Sequence, residues 1–249
     1  IEFGAPRPSK GSGGLTGRVS GAFTDSRGRS GKFALEAPAD MGPDKSYGVL
    51  FYFHADGDDA NYASYVSRLK TTAAKHGLMV VSMQEPDEGA WWAPRSADDA
   101  AYVKEFLEAK LLAKYNVDRS RVFFSGESGG ASFAAGLPAR LGFEYGGGVV
   151  LASDGDVPRE NGGNPDDDES AAPPMRAHPA VPARAKRDFG AYFAVGSEDP
   201  ELRNALASAA YYRSLGMSAV RLDVVPGAGH ADFSAVRAIG EGLDALDPR

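Results

Sequence analysis

Cysteine is missing altogether from the 249 residues, which excludes disulfides, thiolate-held zinc and a cysteine nucleophile and leaves the redox compartment open. Histidine is scarce, with four in the chain, so acid–base chemistry has few imidazoles to draw on. No apolar run approaches the length that spans a bilayer. Positive charge is also short: 27 Lys and Arg stand against 34 Asp and Glu, a formal net charge of -7. Neither a membrane anchor nor a nucleic-acid partner is expected, because phosphate binding needs clustered positive charge.

What is present fits one globular α/β domain, with 43% hydrophobic and 10% aromatic residues and enough length to bury a full core. Residues 1–14, rich in Gly, Pro, Ser and Lys, read as a flexible linker or a remnant of cloning or processing; 15–249 read as a single catalytic-sized domain. Leu15 to Thr24 and Gly31 to Ala37, separated by Asp25-Ser26-Arg27-Gly28-Arg29, read as an antiparallel hairpin. Beyond them strand-like runs at Gly48 to Phe53, Leu78 to Met83, Val122 to Ser125, Gly148 to Leu151, Gly190 to Val195 and Val220 to Val225 alternate with helical patterns. The helices are placed near Tyr62 to His76, Ala97 to Lys114, Pro200 to Leu215 and Phe233 to Leu246. That rhythm predicts a mostly parallel, twisted sheet of about eight strands with helices on both faces. Residues 154–188 break it with six prolines and the cluster Asp166-Asp167-Asp168-Glu169, and read either as a lid or substrate wall or as a solvated insert.

One pentapeptide carries chemistry. Gly126-Glu127-Ser128-Gly129-Gly130 lies between the apolar run Arg121 to Ser125 and the small residues Ala131 to Ala135. A G-x-S-x-G sequence between strand and helix is the nucleophile elbow of an α/β-hydrolase, its glycines making room for a tight turn and its serine pushed outward. By itself the spacing is weak evidence in a chain with 31 glycines. Its setting makes Ser128 the candidate nucleophile.

Serine needs a base, and the base an orienting carboxylate, in the chain order Ser, acid, His for this fold. His230 follows the strand Val220 to Val225 in the loop Pro226-Gly227-Ala228-Gly229-His230, and is the candidate base. His178 lies in the insert with no strand to deliver it. His76, before Gly77, reads as a helix cap. His54 ends the strand at Phe53 and reads as structural or substrate-facing. For the acid, the strand Ala191 to Val195 runs into Gly196-Ser197-Glu198-Asp199-Pro200; Asp199 is the choice, Glu198 the fallback, and simple capping of a helix that starts at Pro200 the competing reading.

A tetrahedral intermediate also needs oxyanion donors. The backbone N–H of Gly129 is one candidate; Ala55 or Asp56, in the loop after Phe53, supplies the other. An ionised Asp56 side chain facing the oxyanion would oppose catalysis, so it is expected to point away or to bind something specific. The acidic run Asp56-Gly57-Asp58-Asp59 lacks the distal glutamate and the glycine placement of a calcium loop, so no metal is expected. No cofactor is required. Trp91 and Trp92 fall after the strand Leu78 to Met83, at the rim of the expected site, where an aromatic could stack on a phenolic or sugar group; core packing is the alternative.

Several stretches together resemble the esterase family that includes polyhydroxybutyrate depolymerases, feruloyl esterases and acetylxylan esterases. They are Phe53-His54, Trp91-Trp92 with Asp98-Asp99-Ala100-Ala101-Tyr102-Val103, and above all Tyr115-Asn116-Val117-Asp118-Arg119-Ser120-Arg121-Val122 leading into the elbow. The resemblance extends from about Phe33 to Ala245, the insert being least comparable. It implies an α/β-hydrolase domain, a Ser128–Asp199–His230 triad, ester substrates of small-molecule or polymeric kind, and a secreted or periplasmic setting. The chain departs from the family at His54-Ala55, where His-Gly is common, at Glu127 before the nucleophile, and in having no cysteine.

The expected reaction is ester hydrolysis through an acyl-enzyme on Ser128, its rate rising with pH as the imidazole of His230 deprotonates. Two rivals share the motif: a serine peptidase of the prolyl-oligopeptidase type, whose usual large extra domain does not fit in 249 residues, and a catalytically silent binding module on the same fold.

Overall fold

The computed structural model describes residues 5–86, 90–91, 96–157, 181–232 and 234–247. Eight strands form one sheet: β1 Gly17–Thr24, β2 Ser30–Ala37, β3 Tyr47–Phe53, β4 Leu78–Met83, β5 Val117–Glu127, β6 Gly147–Ala152, β7 Phe189–Gly196 and β8 Ala219–Val225. Their spatial order is β1-β2-β4-β3-β5-β6-β7-β8. The β1–β2 hairpin joins β4 antiparallel, and every later pairing is parallel.

Among the described residues six helices pack on this sheet: α1 Tyr62–Lys75, α2 Ser96–Phe106, α3 Gly129–Arg140, α4 Ala185–Asp188, α5 Leu202–Ser214 and α6 Ala235–Leu246. Side-chain alternation along the strands divides the core in two. Val49, Phe51 and Phe53 of β3 join Val122 and Phe124 of β5 on the face that packs with α2, α3 and α5. Leu50, Tyr52 and Phe123 point to the opposite face, toward α1 and α6. In α6 the buried residues Ala235, Ala238, Ile239, Gly242, Leu243 and Leu246 recur at helical spacing, making one apolar stripe.

Local chemistry accounts for differences from the expected boundaries. The long helix expected to Lys114 is α2 followed by a π-helical turn, Leu107–Leu112. β5 begins at Val117, five residues earlier than the apolar run suggests, because Val117 pairs with Tyr47 across a register shift before Val122 resumes against Val49. The final helix starts at Ala235 with Ser234 as its cap, the Ser234 hydroxyl accepting from the Arg237 N–H at 3.4 Å.

The described parts of two segments expected to be loose are held. Within 1–14, the Arg7 N–H donates to Asp118 Oδ1 at 2.9 Å, Ser9 Oγ to the Tyr115 carbonyl at 2.7 Å, and the Lys10 N–H to Asn116 Oδ1 at 3.1 Å. The same Asp118 carboxylate accepts from Ser120 N–H and Oγ at 2.9 and 2.6 Å. The run Tyr115 to Ser120 is therefore a staple at the amino end of β5, remote from the elbow at its other end. In the insert, Asp154 and Gly155 are buried directly after β6, and Ala185–Asp188 form a helical turn leading into β7. His178 and the acidic cluster at 166–169 lie outside the described residues.

Candidate active site

β5 ends at Glu127, and the chain reverses at Ser128 into α3. Ser128 has φ 53° and ψ -128°, a conformation that side chains with a Cβ rarely adopt and that costs on the order of 1–3 kcal/mol. The turn is closed by three bonds: Ser128 N–H to the Ala152 carbonyl at 3.1 Å, and the Ser128 carbonyl accepting from Ala131 and Ser132 N–H at 2.8 and 3.0 Å. The flanking glycines are required by contact. A Cβ on Gly126 would lie 2.5 Å from the Gly130 carbonyl, and one on Gly130 would lie 2.3 Å from the Phe53 carbonyl oxygen.

Parallel strands put their carboxyl ends on one side, so the loops after β5, β7 and β8 converge. His230 Nε2 lies 2.9 Å from Ser128 Oγ, and His230 Nδ1 lies 2.9 Å from Asp199 Oδ1. The bond to Asp199 assigns the proton to Nδ1, leaving Nε2 to accept from the serine hydroxyl. The two loops are also joined to each other: Glu198 N–H donates to the Ala228 carbonyl at 2.9 Å and Gly227 N–H to Ser197 Oγ at 2.8 Å. Ser153 Oγ donates to the His230 carbonyl at 2.9 Å, fixing the base from the β6 side.

Asp199 is buried, whereas Glu198 is exposed. Asp199 Oδ1 accepts both the imidazole and the Glu201 N–H, the latter at 2.9 Å, and Asp199 Oδ2 has no hydrogen-bond partner among the described residues. The competing reading of Asp199 as a helix cap does not hold, since α5 starts at Leu202 rather than Pro200 and Glu201 is its N-cap residue.

A Cβ on Gly130 would also lie 2.4 Å from the His54 carbonyl oxygen, so the start of α3 sits against the end of β3. Gly129 is the first residue of α3, where an N–H has no intrahelical acceptor. The loop after β3 is a tight turn: Asp58 N–H donates to the Ala55 carbonyl at 3.1 Å, and Gly57 has φ 73°. Ala55 is half-buried and Asp56 exposed, yet surrounding protein desolvates the Asp56 carboxyl enough to push its pKa up to about 6.

Beneath this loop is a polar chain that sequence reasoning missed. Tyr52 Oη donates to Glu127 Oε2 at 3.3 Å, the Tyr52 ring stacks on Tyr65 with centroids 4.1 Å apart, and Tyr65 Oη donates to Asp58 Oδ2 at 2.8 Å. It links the residue before the nucleophile to the oxyanion-side loop. Burial raises the pKa of Glu127, with Tyr52, Arg68 and His230 pulling it back down. The signal available in the sequence was Tyr52, a hydroxyl inside the apolar run Val49 to Phe53.

Two aromatic or imidazole candidates do not face the site. Trp91 is fully buried, edge-on to Phe53 at 5.0 Å and stacked on Phe133 of α3 at 5.1 Å, so it supports the elbow from within the core. His54 is also fully buried, with Nδ1 2.8 Å from the Ala55 carbonyl and Nε2 accepting from the Glu85 N–H at 3.4 Å. Trp92 lies outside the described residues. His76 caps α1 as expected and also ties it to α6, Nε2 lying 3.0 Å from Asp244 Oδ1. Among the described residues no cluster of His, Asp and Glu is arranged to hold a metal ion, and no helix is long and apolar enough to cross a membrane.

Many solved structures share this architecture. A thermostable esterase superposes with a TM-score of 0.65 at 17% identity, over 92% of this chain and 62% of that one. The feruloyl esterase module of Clostridium thermocellum, solved with sinapinate, gives a TM-score of 0.62 at 16% identity over 97% and 92%. The chain has the α/β-hydrolase fold. No protein-family model matches the sequence. Arylacetamide deacetylase of Mus musculus is 34% identical over 96 residues, which is 37% of this hydrolase-fold chain and 24% of the deacetylase, so the chain spans about a quarter of that relative.

Proposed function

We propose that this protein is a serine carboxylesterase acting through an acyl-enzyme on Ser128. The observation that carries the reading is the unbroken line from Ser128 Oγ through His230 to buried Asp199, each link 2.9 Å, with the serine held at a strained turn. As Ser128 Oγ attacks the ester carbonyl carbon, His230 Nε2 takes its proton and the carbonyl electron pair moves onto oxygen. Asp199 stays ionised and stabilises the imidazolium. The N–H of Gly129, with that of Ala55 or Asp56, stabilises the oxyanion, each donor contributing about 3–4 kcal/mol. Collapse breaks the bond to the alcohol oxygen, which leaves with the proton from His230. Water then attacks the acyl-enzyme with His230 as base, releasing the acid and restoring Ser128.

For substrate class we propose esters of short or aromatic acids, feruloyl and acetyl esters first, with polyesters as the polymeric counterpart. Support comes from the resemblance described above and from the esterases among the structural neighbours. The test is direct. A fluorophosphonate should label the protein at Ser128, and p-nitrophenyl acetate should be hydrolysed; Ser128→Ala should abolish labelling and lower kcat by at least about 10^4-fold. A folded wild-type protein that takes no label would overturn the reading in favour of a silent binding module.

A further inference from the structure

β6 lies between β5, which ends at Ser128, and β7, which leads to Asp199, yet it supplies no member of the triad. Three consecutive residues at its carboxyl end reach all three. The Ala152 carbonyl accepts the Ser128 N–H at 3.1 Å, and Ser153 Oγ donates to the His230 carbonyl at 2.9 Å. Asp154 touches both flanking helices: Oδ2 is hydrogen-bonded to Ser132 Oγ in the first turn of α3, while Oδ1 accepts the Gly155 N–H at 2.6 Å and lies 3.5 Å from Asn204 Nδ2 of α5.

The backbone at this point is strained. Ser153 has φ 59°, left-handed for a residue with a Cβ, and such a conformation persists only where its surroundings over-determine it. Here the Ser153 N–H donates to the Ala194 carbonyl of β7 at 2.8 Å while the hydroxyl is held by His230. Asp154 is thereby set down between α3 and α5, 6% exposed, and a Cβ on Gly155 would lie 3.0 Å from Ser208 Cβ of α5.

Two lines run from the Asp154 carboxyl to the reacting groups. On α3, Ser132 donates its N–H to the Ser128 carbonyl at 3.0 Å. On α5, Asn204 Nδ2 also donates to Glu201 Oε2, and the Glu201 N–H donates to Asp199 Oδ1 at 2.9 Å.

We infer that Asp154 is a positioning residue for the triad, its carboxyl a strut that fixes the start of α3, which aims Ser128, against the start of α5, which holds Asp199. This rests on the esterase reading given above. A carboxyl in a dry interior is costly when charged, and burial beside Glu201 and Asp156 favours its neutral form. Neutral, it carries one donor and one acceptor oxygen, the pattern of an asparagine amide. A leucine there would avoid the desolvation cost and join neither helix.

Steady-state hydrolysis of p-nitrophenyl acetate tests the strut. Asp154→Asn, which keeps the size and the hydrogen-bonding pattern, should leave kcat within about twofold of wild type. Asp154→Ala and Ser132→Ala should each lower kcat about tenfold or more with KM within about twofold, since the aim of the nucleophile is disturbed and binding is not. The double variant should be no slower than Asp154→Ala alone, because both changes remove one bond. Thermal melts set an assay temperature at which the variants are folded; where Asp154→Ala does not fold, Ser132→Ala carries the test with the same expected loss. Fluorophosphonate labelling separates the two levels of the reading: a wild type that takes no label removes the esterase and the strut together. With a labelled wild type, a folded Asp154→Ala or Ser132→Ala that keeps wild-type kcat would overturn the strut alone, and so would an Asp154→Asn as slow as Asp154→Ala.

Discussion

Ser128 owes its position to neighbours without side chains. With only 2.3 Å between a Gly130 Cβ and the Phe53 carbonyl oxygen, Gly130→Ala must push α3 off β3; displacement near 1 Å lowers esterase kcat by about 100-fold. Circular dichroism should show the fold retained. Asp199→Asn should cost about 10^4 in kcat by favouring the wrong imidazole tautomer. Asp56 gives a pH-dependent test. Its carboxyl, with a pKa of about 6, gains charge as pH rises, and turned away from the oxyanion it leaves catalysis untouched. Asp56→Asn should therefore keep the wild-type pH–rate profile, whereas a gain in kcat/KM at pH 8 and none at pH 5 would place that charge against the oxyanion.

At the scale of elements, the polar chain from Glu127 to Asp58 joins β5, β3, α1 and the 54–58 loop. Removing one hydroxyl separates positioning from packing: Tyr65→Phe keeps the stacked ring but removes the bond to Asp58 Oδ2, leaving Asp58 Oδ1 with Asn61 Nδ2 at 2.6 Å. The expected result is kcat lowered about tenfold with KM little changed and the melting temperature nearly constant. The hairpin turn shows another such join. Arg29 Nη1 bonds Asp99 Oδ1 at 3.0 Å in the first turn of α2, and Tyr102 Oη donates to the Phe23 carbonyl at 3.1 Å. The family-like stretch Asp98 to Val103 is thus a docking device for the hairpin, as Tyr115 to Ser120 is for residues 7–10.

For the whole molecule, two buried ionisable sites give stability tests. Arg121 of β5 and Asp247 beyond α6 form a buried ion pair, Arg121 also donating to the His76 carbonyl. Arg121→Leu takes the guanidinium away from a carboxylate in the interior, with His76 Nδ1 still 3.7 Å from it, and should cost about 3–5 kcal/mol in urea unfolding at pH 7. Asp154, after β6, accepts from Ser132 Oγ and from the Gly155 N–H at 2.6 Å, and burial pushes its carboxyl well above the usual carboxylate range. In the unfolded chain it ionises normally. Its contribution to stability is therefore full below the ordinary carboxylate pKa and is lost as pH rises toward its folded value. Asp154→Asn should remove that slope, narrowing the drop in melting temperature between pH 4 and pH 8.

The sequence by itself determined the strand order of the chemistry. Apolar runs located the central strands because β3, β4, β6 and β7 are buried at every residue and carry almost no polar residue to blur them, and the glycines around Ser128 marked a turn that only they permit. Chain order then singled out Asp199 and His230, because parallel strands deliver successive loops to one side. Tertiary structure decided what local pattern does not encode. Trp91 and His54 lie in the core because α3 closes over them, a contact between residues about 40 to 80 positions apart. Tyr52, Tyr65 and Asp154 acquire their roles only where separate elements bring a polar group into a dry interior, since burial depends on what packs above a residue rather than on its neighbours in the chain.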